Sequence, residues 1–269
     1  MLAAGLFYRE SGPADGPVAL MLHGFPESSF MWNDVMPAVA DVGWRAVAPD
    51  FAGYGDSEPD PPGTWERHMD SLERFRRELG IERCVLVVHD WGGLVGLRWA
   101  CEHPGVVSAL VISSTGFFPD GKWHGMAKAL REPGTGEQLL AALDRDGFAA
   151  VMRESSAGMT DEAIAEYSKA FADEMRRRGQ LELYRSGDFS KLEAYDLAAL
   201  AVPTLLLWGE DDAFAPVAGA HRFQRELPDT ELVVVDGARH FVWEDAPEEC
   251  AAALTAFLGR VRGSVAQSS

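Results

Sequence analysis

Apolar residues along the chain gather in short blocks, separated by longer stretches in which they recur every three or four positions. Val18–Leu22, Arg45–Ala48, Val85–Val88, Leu110–Ile112, Thr204–Trp208 and Leu232–Val235 are apolar almost throughout, together rich in β-branched residues, and each is followed within a few residues by Gly, Pro or Asp. Strands buried on both faces of a parallel sheet read this way. Between the blocks lie amphipathic segments such as Thr64–Leu79, where Leu72, Phe75 and Leu79 fall on one helical face. Strand and helix in alternation predict an α/β layered fold with right-handed crossovers.

The alternation stops between about Phe117 and Asp196. The pattern there predicts helices, one over Asp161–Arg178 behind Thr160 as a cap, and no strand. Residues 1–116 and 197–269 are therefore expected to form the core domain, with 117–196 inserted as a helical cap, or lid. Such a lid would lie above the carboxyl edge of the sheet, where open α/β sheets bind ligands. The closing "GSVAQSS" is expected to be disordered.

Composition narrows the partners more than the fold. With 269 residues, 47% of them hydrophobic, the chain can bury one full core plus an insertion. Acidic residues outnumber basic ones 42 to 24, and the formal charge of −18 repels phosphate backbones and anionic lipid. Nucleic acid and membrane surfaces are thus expected not to be partners. Cys84, Cys101 and Cys250 are isolated, which suits a reducing compartment without a metal cluster. The opening "MLAAGLFYRESG" lacks a basic region and an apolar region of useful length, so a secretory signal is not expected there, and no apolar run reaches the roughly 18 residues of a membrane helix. The expectation is a cytoplasmic protein, monomer or homodimer, acting on a small apolar organic substrate and water.

Candidate chemistry centres on "VLVVHDWGGLVGLRWA", residues 85–100. An apolar strand runs straight into His89-Asp90-Trp91-Gly92-Gly93 and then into a helix, Trp91–Glu102. This is the nucleophile-elbow pattern with aspartate where serine is commoner: a strained turn lifts one side chain above the sheet while glycines let helix and strand close behind it. The alternative is that Asp90 simply caps the helix. Asp212 in "LLLWGEDDAFAP" and His240 in "VVVDGARHFVWEDAP" follow the next two candidate strands. Nucleophile, acid, histidine is the chain order of the α/β-hydrolase triad.

With "LMLHGFPESSFMW", these stretches make the chain similar to the α/β-hydrolase superfamily over roughly Leu20–Phe118 and Val202–Leu258, in the aspartate-nucleophile branch. The resemblance implies an α/β-hydrolase fold with a mostly parallel central sheet flanked by helices and an inserted helical cap. It implies catalytic Asp90, Asp212 and His240, an oxyanion hole from the backbone N–H groups of Phe25 and Trp91, and neither metal nor cofactor. Asp90 would displace a leaving group from saturated carbon, and His240 would direct water onto the resulting ester. "HGFP", "HDWGG" and "LELYRS" resemble epoxide hydrolases, in which a lid tyrosine followed by arginine donates to the epoxide oxygen; Tyr184-Arg185 matches that pair. "DWGGLVGLRWACEHP" and "HFVWEDAPEE" resemble haloalkane dehalogenases, whose halide-binding tryptophan corresponds to Trp91. Haloacetate dehalogenases carry arginines after the nucleophile, where this chain has Trp91 and Leu94.

The reading is an epoxide hydrolase, with haloalkane dehalogenase as the alternative and a haloacetate dehalogenase, an esterase or a non-catalytic binding protein behind. Trp91, Tyr184, Trp123, His124 and Tyr167 are the candidate substrate-binding side chains, although Tyr167 also fits simple helix packing. Arg239 stands where the family commonly has glycine. The "APDFAGYGDSEP" loop reads as a turn without chemistry.

Overall fold

A computed structural model describes residues 1–266 and places eight strands in one sheet: β1 (Leu2–Ala3), β2 (Leu6–Ser11), β3 (Val18–Leu22), β4 (Arg45–Pro49), β5 (Cys84–His89), β6 (Val107–Ser113), β7 (Thr204–Gly209) and β8 (Thr230–Val235). Their order is β1-β2-β4-β3-β5-β6-β7-β8. β2 pairs antiparallel with β1 and β4, and every pairing from β4 to β8 is parallel. All six apolar blocks lie in parallel strands. β1 and β2 have no counterpart among those blocks. β2, "LFYRES", alternates buried with half-buried side chains because it has a wetter face, and an antiparallel edge strand needs no continuous apolar run.

Helices α1 (Met36–Asp41), α2 (Trp65–Glu78) and α3 (Trp91–Glu102) connect the first strands. Thr64 caps α2 by accepting the Arg67 N–H at 3.3 Å. Between β6 and β7 come α4 (Gly125–Arg131), α5 (Thr135–Ala142), α6 (Arg145–Ser155), α7 (Asp161–Tyr167) and α8 (Glu174–Ser186), and none of these fully described residues is in a strand. α9 (Ala218–Glu226), α10 (Val242–Asp245) and α11 (Pro247–Ala266) complete the chain.

Alternate strand residues feed two cores, as a period of two requires. Leu20, Leu22, Leu86, Val88 and Ile112 pack with α2, α3 and α9, whereas Ala19, Met21, Val85, Val87 and Val111 pack with α1 and α11. Each fully buried aliphatic side chain contributes about 1.5–3 kcal/mol, so the strand register that positions the site is strongly fixed.

Two expectations need correction. The helix expected over Asp161–Arg178 is broken. Thr160 caps α7 as expected, by accepting the Ala163 N–H. The helix then passes into a 3₁₀ turn, Ser168–Phe171, and α8 starts afresh where Asp173 accepts the Arg176 N–H at 2.8 Å. Asp173 is itself an N-cap, and a cap inside a periodic stretch restarts the helix. At the C-terminus α11 runs through Ala266, so Gly263–Ala266 are helical; residues 267–269 lie outside the described residues.

Candidate active site

β5 ends at His89 and the chain turns at once into α3, with Asp90 at φ 45° and ψ −119°. A non-glycine residue at positive φ is uncommon and must be held by its surroundings. Gly92 makes the turn possible: a Cβ there would lie 2.4 Å from the Leu22 carbonyl oxygen and 2.5 Å from that of His23. Gly92→Ala is therefore expected to force β3 and α3 apart and cost about 1–3 kcal/mol, read as a lower denaturant midpoint with unchanged slope.

The Asp90 carboxylate makes no capping bond to α3. Instead its Oδ1 accepts the Phe25 N–H at 2.8 Å, and the side chain keeps 22% of its surface open. The loop after β3 is pressed onto it, since a Cβ on Gly24 would fall 2.4 Å from Asp90 Cβ. His23 holds that loop in place. Its Nε2 accepts the Phe51 N–H at 2.9 Å and its Nδ1 bonds the Gly24 carbonyl at 2.8 Å. Burial takes its pKa down to about 4, so it is neutral.

His240 follows β8 and Asp212 follows β7. His240 Nδ1 is 3.0 Å from both Asp212 oxygens, and Nε2 is 3.6 Å from Asp90 Oδ2. Asp212 Oδ1 also accepts the N–H groups of Phe214 and Ala215 at 2.9 and 2.8 Å. Burial disfavours a charged His240, but the carboxylates of Asp212 and Asp90 outweigh it and hold its pKa well above the ordinary range. Burial likewise opposes ionised Asp90 and Asp212, yet His240 keeps both pKa values below those of ordinary carboxylates. The resting arrangement is an imidazolium between two carboxylates.

Two cavities meet at Asp90, each also bounded by His124, Tyr184, Phe214 and His240. The larger, about 360 Å³, runs between Phe25, Met126, Leu140, Phe148 and Met152 and is almost wholly apolar. The smaller, about 290 Å³, lies on the Trp91 and Trp123 side and reaches Ser114, Thr115 and Lys122.

Tyr184 sits between the cavities, its ring edge-on to Phe25 at 5.0 Å and to Trp91 at 5.2 Å. Arg131 fixes its backbone by donating to the carbonyls of Tyr184 and Gly187. Burial, then the Asp90 charge, raises the Tyr184 pKa well above its usual value, so the phenol stays protonated. Trp123 stacks on Trp91 at 5.6 Å. His124 caps α4 by accepting the Ala127 N–H, and burial lowers its pKa.

Trp91, Tyr184, Trp123 and His124 thus converge on Asp90, whereas Tyr167 does not. Its hydroxyl donates to Glu244 Oε1 at 2.5 Å, behind the cavities rather than in either; packing against α10 turns it away. The Arg239 backbone N–H donates to Asp245 Oδ2 at 2.6 Å, but among the described residues its guanidinium pairs with no carboxylate. The guanidinium donates to the carbonyls of Glu154 and Arg153 at the end of α6. In the loop after β4, Asp50 accepts the N–H groups of Ser29 and Asp56 and borders neither cavity. Sequence reasoning missed the walls Phe214 and Phe241, whose rings each lie 5.1 Å from His240. The only signal was their position just after Asp212 and His240.

A family model described as the alpha/beta hydrolase fold matches residues 17–247. The protein belongs to the α/β-hydrolase family. Among its relatives is a cis-3-alkyl-4-alkyloxetan-2-one decarboxylase from Xanthomonas campestris pv. campestris, 31% identical over 94% of this chain and 92% of its own. A haloalkane dehalogenase from Mesorhizobium japonicum is 30% identical over 97% and 90%, and relatives named epoxide hydrolase match at 28–29%. The crystal structure of the haloalkane dehalogenase DbeA from Bradyrhizobium elkani USDA94 superposes with a TM-score of 0.85 at 28% identity, covering 98% of both chains. This α/β-hydrolase is accordingly an enzyme of the epoxide hydrolase and haloalkane dehalogenase type. Among its described residues no helix is long and apolar enough to cross a membrane.

Proposed function

We propose that the protein is an epoxide hydrolase working through a covalent ester of Asp90. Residues 117–196 would act as the cap that closes the cleft. Asp90 Oδ2, the oxygen not held by Phe25, attacks a ring carbon; the C–O bond of the epoxide breaks, and its oxygen takes the Tyr184 phenolic proton. Alkylation removes the Asp90 charge and leaves His240 with Asp212 alone, which lowers the imidazole pKa toward that of a useful base; the imidazolium gives up its proton, which restores the Tyr184 phenol, and a neutral imidazole remains. His240 then takes a proton from water, and the hydroxide adds to the ester carbonyl. The negative oxygen is held by the Phe25 N–H, with the Trp91 N–H at the α3 terminus as second donor. Collapse of that adduct releases the diol.

The observation that carries this reading is a protonated phenol, Tyr184, buried beside the one carboxylate left open to both cavities. An alkoxide leaving group needs such a donor; a halide does not. The cavities suit an electrophilic carbon inside a chain, with a longer apolar arm and a shorter one.

Haloalkane dehalogenation is the second reading, favoured by the paired indoles of Trp91 and Trp123 in the smaller cavity and by the names of several relatives. Parallel assays of an internal epoxide, a bromoalkane and a 3,4-dialkyl oxetan-2-one, reading diol, bromide and carbon dioxide, decide among these. Tyr184→Phe should lower epoxide turnover by about 10²-fold or more, the scale of a positioned general acid, while bromide release stays near wild type. Equal loss on both substrates would remove Tyr184 from the leaving-group role.

A further inference from the structure

Behind the triad lie two glutamates that the ester chemistry does not use. Glu27 follows the Phe25 turn and is completely buried. Its Oε2 accepts the Gly24 N–H at 3.1 Å and lies 3.5 Å from His89 Nε2. Glu244, on α10, is four residues beyond His240, and its Oε1 accepts the Tyr167 hydroxyl. The remaining oxygens, Glu27 Oε1 and Glu244 Oε2, are sealed from solvent and find no donor, although the two carboxyl groups are within hydrogen-bonding reach of each other.

Two acceptors cannot satisfy one another. A proton on either carboxyl makes one of them a donor to the other, the kind of partner a buried polar pair requires.

We propose that Glu27 and Glu244 share one proton, and that this acid pair, braced by Tyr167, is a positioning lock between the loop that presents the Phe25 N–H and the loop that presents His240.

The surrounding charges favour that state. On the β5 side His89 is held neutral: burial takes its pKa down to about 3, and its Nδ1 faces Ser113 Oγ. Asp90, from the elbow, adds negative charge near Glu27, and His240 opposes it. From α10 itself Asp245 adds negative charge near Glu244, and from α7 Glu166 adds it near Tyr167. No Lys or Arg bonds either carboxyl among the described residues. Burial is the main cause that raises both glutamates, Glu244 to about 8 and Glu27 well above the ordinary value.

Stability should follow. In the unfolded chain both carboxyls release their protons near the ordinary value of 4.5. Between there and about 8 the folded protein holds a proton that the unfolded chain lacks, so stability falls as pH rises through that window.

The test needs no substrate, so it stands apart from the fate of the Asp90 ester. Infrared spectra of the full chain at pH 6–7 should contain a buried carboxylic-acid carbonyl band. Glu27→Gln should remove it, because the amide N–H donates to Glu244 without any proton, and the melting temperature of that variant should fall less steeply between pH 5 and 8. Hydrogen exchange at the Phe25 amide should quicken on the order of tenfold or more in Glu27→Ala, as expected for local opening, and Glu27→Gln should restore its protection. An unchanged band in Glu27→Gln, or parallel melting profiles, would overturn the shared proton. Exchange at Phe25 that ignores Glu27→Ala would overturn the lock.

Discussion

Asp90→Asn should leave a folded protein with essentially no turnover, kcat falling by on the order of 10⁴-fold or more, as when a hydrolase loses its nucleophile. The geometry separates the two effects. Asparagine keeps an oxygen for the Phe25 N–H, which Oδ1 accepts at 2.8 Å, and it is among the few residues that tolerate a positive φ such as the 45° found here. What disappears is the negative oxygen facing the cavities and one of the two charges that hold His240 protonated. Product assays on the substrate found by the panel, with circular dichroism melts of both proteins, check the pair of outcomes. A variant that folds and still makes product would falsify the covalent reading.

How far such a site can be read from sequence depends on whether its signal is local. Gly92 and Gly93 behind Asp90, and His-Gly before Phe25, are short-range requirements of close backbone approach, so they stand out as motifs. The inner parallel strands are equally plain, because burial on both faces leaves little room for polar residues, whereas the last strand, β8, keeps part of its side chains exposed. β2 escapes this logic because an antiparallel strand at the margin of the sheet can alternate. The break at Asp173 was hidden for a different reason: the apolar period continues across it, and only the side-chain bond to Arg176 restarts the helix.

Non-local features were invisible in another way. Tyr167 and Tyr184 are both aromatic residues on helices between β6 and β7, yet Glu244 draws one away while Arg131 pins the other over Asp90. Neither partner is near in sequence. The Glu27 and Glu244 pair is the extreme case. Each glutamate sits in a motif of the family type, but only the folded sheet brings the ends of β3 and β8 close enough for one proton to serve both.

His240→Gln should trap the reaction half-way. Asp90 Oδ2 is unaltered and the Phe25 N–H still holds Oδ1, so alkylation proceeds; the base that activates water is gone, and hydrolysis of the ester slows by about 10²–10⁴-fold, the usual worth of a positioned base. The adduct should be visible by mass spectrometry on the peptide carrying Asp90. Its mass distinguishes the leaving groups: opening an epoxide adds the whole molecule, whereas displacement of a halide adds the alkyl group without the halogen. In the wild-type enzyme the hydrolytic step should speed up as pH rises, because only neutral imidazole accepts a proton. That rise should be centred below the His240 pKa of the free enzyme, since the ester has removed the Asp90 charge that raises it. Should the label appear on another residue, or the rise be centred at or above the free-enzyme value, Asp90 and His240 do not exchange charge in the way proposed. A label confined to Asp90 with the rise displaced downward would tie the carboxylate, the imidazole and the order of the two steps together.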